Sequence, residues 1–291
     1  MSGSTDQITE ISFENFPELL KEINDPPKSL HLRGELPKEG NKLLAIVGSR
    51  KYSGYGRDAC ESLIAGLIGY PITIVSGLAL GLDAIAHRAA LKAGLQTIAL
   101  PGSGVSYNAI HPRTNVELAE EIIESGGGII SEYPDEMKAT LWSFPKRNRI
   151  MAGMCHATIV IEAQTKSGTL ITSRLATEYN REVGCVPGPI TSPSSDGPHM
   201  LIRLGAALIR NSDDILELLG LKTKGETHPL VDADDLTDEE QIFIKILETP
   251  ISRDELIRRG KMDVSKSNAV LSLLEIKGLI CEELGEVRKT F

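Results

Sequence analysis

Seven consecutive residues, Phe144-Pro145-Lys146-Arg147-Asn148-Arg149-Ile150, place three cations within four positions beside an aromatic ring. Arginine offers phosphate a planar fork of donors, lysine offers a point charge, and a phenyl face can stack on a nucleobase. The alternative for the arginines is internal: Arg147 and Arg149 could pair with carboxylates at the sheet edge such as Glu132 and Glu162. A second basic set, Arg50, Lys51 and Arg57, is interleaved with Gly54 and Gly56. Arg113 lies in His111-Pro112-Arg113-Thr114-Asn115, and Lys166-Ser167-Gly168-Thr169 puts a further cation at an expected helix start, where unpaired N–H groups suit an anion.

Other chemistries find less support. The glycines after Arg50 do not spell GxGxxG, and no acidic residue follows at the distance a ribose would need, so no dinucleotide cofactor is expected. Ser76 and Ser103 follow apolar runs, but neither sits in a GxSxG elbow. Asp83 and His87 are spaced i, i+4 and could touch on one helix face, although an acid near a helix N-terminus has a structural reason to be there. Cys60, Cys155, Cys185 and Cys281 form no CxxC pair, and His87, His111, His156 and His199 show no ligand spacing. No metal site and no catalytic residue is assigned, and the protein is not expected to be an enzyme.

These residues need a frame to bring them together. Short apolar runs at 43–47, 72–75, 97–100, 128–131, 158–161 and 183–186 alternate with helical patterns such as 84–93, 115–124 and 169–180. Continuous apolar runs suit strands buried on both faces, so the pattern predicts an α/β fold: an extended, Rossmann-like, doubly wound and mostly parallel sheet. Ligands of such sheets bind beyond the carboxyl ends of the strands. Five runs exit into polar or glycine-bearing stretches, Gly48-Ser49-Arg50, Ser76-Gly77-Leu78, Pro101 to Gly104, Glu162 to Gly168 and Pro187-Gly188, which are expected to converge on one rim.

Residues 1–42 read as a short appendage to this domain, with an amphipathic helix over 16–23 stopped by Asp25-Pro26-Pro27 and a short strand over 30–34. The Rossmann-like domain takes 43–221. An acidic linker covers 222–236. Over 237–291, helices at 238–248, 252–259 and 265–278 precede a hairpin turning at Gly285, a winged-helix layout. From Lys222 onward 11 Lys and Arg face 15 Asp and Glu, which favours a protein contact over duplex binding for this module. The whole chain carries −9, so any polyanion site must be a local groove. No apolar run approaches the roughly 20 residues of a membrane helix, and the polar start carries no signal-peptide pattern, so a cytoplasmic address is expected.

Taken in order, these motifs resemble the DNA-processing protein A family, also called DprA or Smf. The likeness runs from Phe16 to Leu219 through Asp25-Pro26-Pro27, Leu32-Arg33-Gly34, Val47-Gly48-Ser49-Arg50, Ser76-Gly77-Leu78-Ala79-x-Gly81-x-Asp83, Ala86-His87 and Phe144-Pro145-x-Arg147-Asn148-Arg149-Ile150. It continues with Val160-x-Glu162-Ala163, Ser167-Gly168-Thr169-Leu170-Ile171-Thr172, Val186-Pro187-Gly188 and Leu201-Ile202-x-x-Gly205-Ala206. The resemblance implies a homodimer that binds single-stranded DNA in a basic pocket and hands it to a RecA-type recombinase during DNA uptake. It makes Arg50 and Arg113 pocket cations, joined by Lys166, and sets Phe144, Lys146, Arg147, Asn148 and Arg149 beside them. The chain departs from the family at Leu80, where a basic residue is frequent, and at Met154-Cys155-His156. The competing class is a nucleotide sensor or a nucleotide phosphoribohydrolase of a related Rossmann-like group. The glutamate of the PGGxGTxxE motif of such hydrolases is matched here by Thr172, a hydroxyl.

Overall fold

A computed structural model describes residues 7–222, 236–247, 249–277, 279–283 and 285–289. The chain divides into two compact units, Met1–Thr223 and Lys224–Phe291. Except for its end residues, the acidic linker read over 222–236 lies outside the described residues.

In the larger unit the elements run β1 (Ile8–Ser12), α1 (Glu18–Lys21), β2 (Ser29–Gly34), β3 (Lys42–Val47), α2 (Gly54–Ala65), β4 (Ile72–Ser76), α3 (Leu82–Lys92) and β5 (Thr97–Ala99). They continue with α4 (Val116–Glu124), β6 (Gly128–Ser131), α5 (Ser143–Met154), β7 (Ala157–Val160), α6 (Thr169–Glu178), β8 (Glu182–Cys185), α7 (Asp196–Arg203), β9 (Ala207–Leu208) and α8 (Ser212–Leu218). One sheet holds all nine strands in the order β1-β2-β6-β5-β4-β3-β7-β8-β9. The strands from β6 to β9 in that order are parallel, as the apolar runs predict, and β2 and β1 add antiparallel at the edge beside β6.

Side-chain alternation explains why the central strands are apolar throughout. Leu43, Ala45 and Val47 of β3 pack with Leu20, Ile150, Met151 and Ala176 of α1, α5 and α6 on one face. Leu44 and Ile46 pack with Leu63, Ile64, Leu82, Ile85, Ile215 and Leu216 of α2, α3 and α8 on the other. Each such side chain, fully buried, stabilises by roughly 1.5–3 kcal/mol. The helix read over 16–23 shrinks to the four residues of α1, because Pro17 at its N-cap and Pro26 beyond it confine the chain. Phe16, Leu20 and Ile23 are buried nonetheless.

The smaller unit contains α9 (Asp238–Ile246), β10 (Ile251–Ser252), α10 (Arg253–Gly260), α11 (Val264–Ile276), β11 (Ile280–Glu283) and β12 (Glu286–Lys289). Thr237 and Glu240 form a reciprocal capping box at the start of α9, and Ser252 and Asp263 cap the other two helices. Phe243, Leu256, Leu271, Leu274 and Val287 make its core. The β11–β12 hairpin turns at Gly285, whose φ of +82° favours glycine. This is the three-helix and wing arrangement read from the sequence. Among the described residues no helix is long and apolar enough to cross a membrane.

Candidate nucleic-acid interface

The sheet changes direction between β3 and β7. From β3 the chain winds one way through β4, β5 and β6, then crosses over to β7, β8 and β9 on the other side. A crevice is expected beyond the strand ends at such a point. A cleft of about 420 Å³ lies there, lined by the loop after β3, the loop between β7 and α6, and the first turns of α5. Gly77 and Gly102 back it through their contacts with Arg147 and Phe144. Pro187-Gly188 does not join that rim: it is tied instead to the Tyr55 hydroxyl and the His199 ring.

Local geometry presents the loops. A Cβ on Gly48 would stand 2.3 Å from Leu82 Cδ1, so only glycine lets β3 run this close to the start of α3. Ser49 Oγ accepts from Lys51 N at 3.0 Å and donates to Lys51 O at 2.8 Å, a tight turn that leaves Arg50 exposed. Opposite it, Thr169 Oγ1 donates to Gly48 O at 3.2 Å, and Ser167 Oγ accepts from Thr169 N. Gly168 faces open space.

The cations differ sharply in their surroundings. Among the described residues Arg50 has no carboxylate at ion-pair distance; its guanidinium lies over the Phe144 ring, 5.5 Å from the centroid. Lys51 and Lys166 are exposed and likewise without such a partner among the described residues. Arg147 is buried: Nη1 donates to Gly77 O at 2.6 Å and Nε to Asn148 Oδ1 at 3.1 Å. Asp83 meets it across Gly77; burial pushes that carboxyl above its ordinary value, and Arg147 pulls the other way. Burial also lowers the pKa of Arg147, against the attraction of Asp83.

Arg149 donates to Glu132 and, at 2.7 Å, to Asp25 O, with the Asp25 carboxylate 3.3 Å away. The internal pairing read for it with Glu132 is therefore present. Glu162 pairs with neither arginine: it accepts from Ser53 N at 2.9 Å, Ser53 Oγ at 2.6 Å and Ser194 Oγ at 3.0 Å. Lys146 and Arg149 line a neighbouring groove of about 700 Å³, which shares Pro145 and Ile171 with the cleft. Arg113 is exposed outside both, donating to Tyr107 O at 2.6 Å and lying over the Tyr107 ring.

Of the residues singled out in the sequence, Arg50, Phe144, Arg147, Asn148, Ser167, Gly168 and Thr169 thus meet in the cleft, and Lys166 is exposed next to Ser167. Gln164, Met151 and Thr172 line it too. Nothing in their types announced them, since each is neutral and placed only by its neighbours. Asp83 and His87 take separate roles. Asp83 lines the cleft, whereas His87 Nδ1 sits 2.7 Å from Thr97 Oγ1 against the sheet, with burial pushing its imidazole down to about 3. Among the described residues no group of three or more His, Cys, Asp or Glu could hold a metal ion. What the cleft offers is cations, hydroxyls and small residues around a stacked aromatic ring, a set suited to a phosphate with an attached base.

Fold and cleft together define a Rossmann-like protein with a cationic, glycine-bearing cleft at its sheet's switch point, followed in the chain by a winged-helix unit. A family model for DNA recombination-mediator protein A matches residues 7–220, and one for the DprA winged helix domain matches 226–286. The chain belongs to the DNA recombination-mediator protein A (DprA/Smf) family. It is 43% identical over 210 residues to Protein Smf of Escherichia coli, covering 71% of this chain and about half (54%) of that one. It is 38% identical over 221 residues to DNA processing protein DprA of Bacillus subtilis, covering 75% and 73%. The solved structure of DprA from Streptococcus pneumoniae superposes with a TM-score of 0.68 at 38% identity, over 73% of this chain and 75% of that one. DprA from Helicobacter pylori, whose structure concerns its single-stranded DNA binding mode, gives 0.64 at 30% identity over 73% and 95%.

Proposed function

We propose that this protein binds single-stranded DNA in the cleft between β3 and β7. Backbone phosphates meet Arg50, Lys51, Lys166 and the Gly168 amide, the Ser167 and Thr169 donors being engaged within the loops. A base stacks against Phe144. The observation that carries the reading is Arg50, an exposed arginine without a carboxylate partner among the described residues, held over an aromatic ring at the mouth of the cleft. Its charge is available to a ligand without first breaking an internal pair. Arg147 and Asn148 then hold the wall in shape, and Arg149 anchors α5 to the segment before β2.

Hand-over of the strand to a RecA-type recombinase, and action as a homodimer, belong to the same proposal; the family's description as recombination mediators supports the first. For the second, Met200, Leu204 and Leu208 lie exposed on α7, just beyond it and on the edge strand β9. An apolar sheet edge of this kind gains by pairing with a second copy. The protein acts in this reading as a binder and not as a catalyst. The hydrolase alternative calls for a carboxylate at Thr172, whose side chain is a buried hydroxyl.

The test is fluorescence anisotropy of a labelled oligothymidylate across a salt series. Binding weakens steeply with salt. Arg50→Ala with Lys51→Ala lowers affinity by at least about tenfold and flattens the log–log salt slope by about 0.7 for each phosphate contact removed. A double variant with wild-type affinity and slope overturns the assignment of the cleft.

A further inference from the structure

The cleft holds about 420 Å³, near the lower end for a small-molecule pocket, so it takes a nucleotide or two of a polymer that must leave across its lip. Two residues just ahead of Phe144, which lines the cleft, take no part in that lining. Leu141 and Trp142 immediately precede α5 and are exposed at 91% and 54%. Exposed apolar side chains of this size carry a contact role only where something else holds them for one.

Trp142 is also built into place. Its ring meets Tyr133 edge-on, with centroids 5.6 Å apart and planes at 84°. The Tyr133 hydroxyl donates to Ser143 O at 3.1 Å, which fixes the brace to the first residue of α5. Ser143 in turn is buried and donates to Gly102 O. Lys146 lies with its ammonium 5.5 Å from the indole centroid and has no carboxylate partner among the described residues. Two residues beyond Trp142 stands Phe144, whose ring is paired with Arg50 in the cleft. The two aromatics therefore rise from one helix start, and each carries over its face a cation that no described carboxylate engages.

We propose that Trp142 and Lys146 form a second stacking platform, which takes the base next to those held in the cleft. The indole supplies the flat face, and Lys146 moves from the ring to the adjoining phosphate when a base replaces it. A nucleobase is the favoured occupant because a cation sits on the ring and the platform stands two residues from the cleft-lining Phe144. A purely apolar protein partner would bury that ammonium unpaired. The inference rests on the reading of the cleft as a single-strand site.

Trp142 is the only tryptophan of the chain, so its emission reports on this position alone. The full chain is titrated with two oligothymidylates, one just long enough to fill the cleft and one longer, following tryptophan emission and anisotropy together. The longer strand quenches the indole and the shorter one does not. Trp142→Ala weakens the longer strand by roughly tenfold, the order of one base stack, and leaves the shorter one unchanged, while Trp142→Phe keeps most of the affinity. Binding of both strands by the wild type with unaltered emission and an unaffected Trp142→Ala variant overturns the platform and leaves the cleft standing. An equal loss for both strands shows a structural residue and also overturns it. So does a change in sedimentation of Trp142→Ala with unchanged binding, which marks a protein contact. Failure of the wild type to bind either strand removes the cleft reading and this one with it.

Discussion

Both units of the chain pair many of their basic residues with carboxylates, as Arg33 does with Glu120 and Arg210 with Asp214, and they differ at the cleft. In the larger unit Arg50 and Lys51 line the cleft, and Lys166 is exposed beside its Ser167, all without a carboxylate at ion-pair distance among the described residues. In the winged-helix unit Arg253 bonds Glu275 and Glu282 at 2.8 and 2.9 Å, Arg258 and Arg259 share Glu255, Lys266 pairs with Glu239, and Lys277 with Glu240. Lys245 and Lys261 lack such partners among the described residues, but one lies on α9 and the other follows α10. A cation engaged in an ion pair must give up that pair before it serves a phosphate, so the count of basic residues does not locate a polyanion site. Their pairing state does. A net charge of −9 is compatible with one cationic cleft for this reason.

Acid separates the units most widely. Burial holds the His87 imidazole neutral down to about 3, far below its ordinary 6.5. Below 6.5 the unfolded chain takes up a proton that the native larger unit refuses. Its stability therefore falls on acidification by up to about 1.4 kcal/mol per pH unit across that window. Residues 236–291 contain no histidine. There the Glu240 and Glu255 carboxyls are held below their ordinary value chiefly by hydrogen bonds from Lys277 and Arg259. Their contribution is present above about 4.5 and is lost only as pH falls through the depressed values. Hydrogen exchange resolved by unit, between pH 7 and 5, shows the larger unit weakening while the smaller holds. His87→Gln flattens the dependence of the larger unit. Parallel weakening of both units, or an unchanged slope in His87→Gln, breaks the contrast.

Arg147 marks the boundary between a binding cation and a structural one. Arg147 and Asp83 are both buried and attract each other without direct ion-pair contact; losing a buried charged donor that bonds Gly77 O costs about 1.5–3 kcal/mol. Arg147→Ala, which also removes the attraction on Asp83, destabilises the larger unit on that scale in denaturant unfolding and leaves the winged-helix unit untouched. Pairing it with Asp83→Asn recovers part of the loss. Arg50→Ala, by contrast, changes stability by less than about 0.5 kcal/mol, as an exposed position should. Equal destabilisation by the two arginine variants erases the distinction between them.

That distinction could not be read from the sequence. Arg147 and Arg149 stand two apart in one basic run, yet their burial and pairing depend on Gly77, Asp83, Asp25 and Glu132, contributed by distant parts of the chain. The frame was far more legible, because a continuous apolar run such as 43–47 has few other uses and the hairpin turn at Gly285 needs its glycine. Strand β1 left little trace, since an edge strand buries only Ile11 fully and its Thr9 and Glu10 remain polar. Helix α5 was disguised by Pro145, tolerated because a first helical turn has no N–H partner to lose. The cleft was foreseeable as a meeting of loops. Which loops close it, and the exclusion of Pro187-Gly188, followed only from the strand order.

The smallest expected effect asks whether pairing alone keeps the winged-helix unit away from DNA. Glu255 sits one turn from both Arg258 and Arg259 and bonds each. Glu255→Gln keeps the side-chain shape and the backbone N–H of this position, which donates to Ser252 Oγ at the helix N-cap. It removes the charge that occupies two guanidiniums. If pairing is what silences them, the variant gains weak, sequence-independent affinity for duplex DNA, with a log–log salt slope steeper by up to about 0.9 for each arginine released. Single-strand binding by the cleft stays as it was. A wild-type chain that already binds duplex as well as the variant does would show that surface ion pairs in this unit open at no measurable cost, as exposed pairs can. The contrast would then rest on geometry, since the cleft sets Arg50 over an aromatic ring at a concave site and α10 presents its arginines along a convex helix.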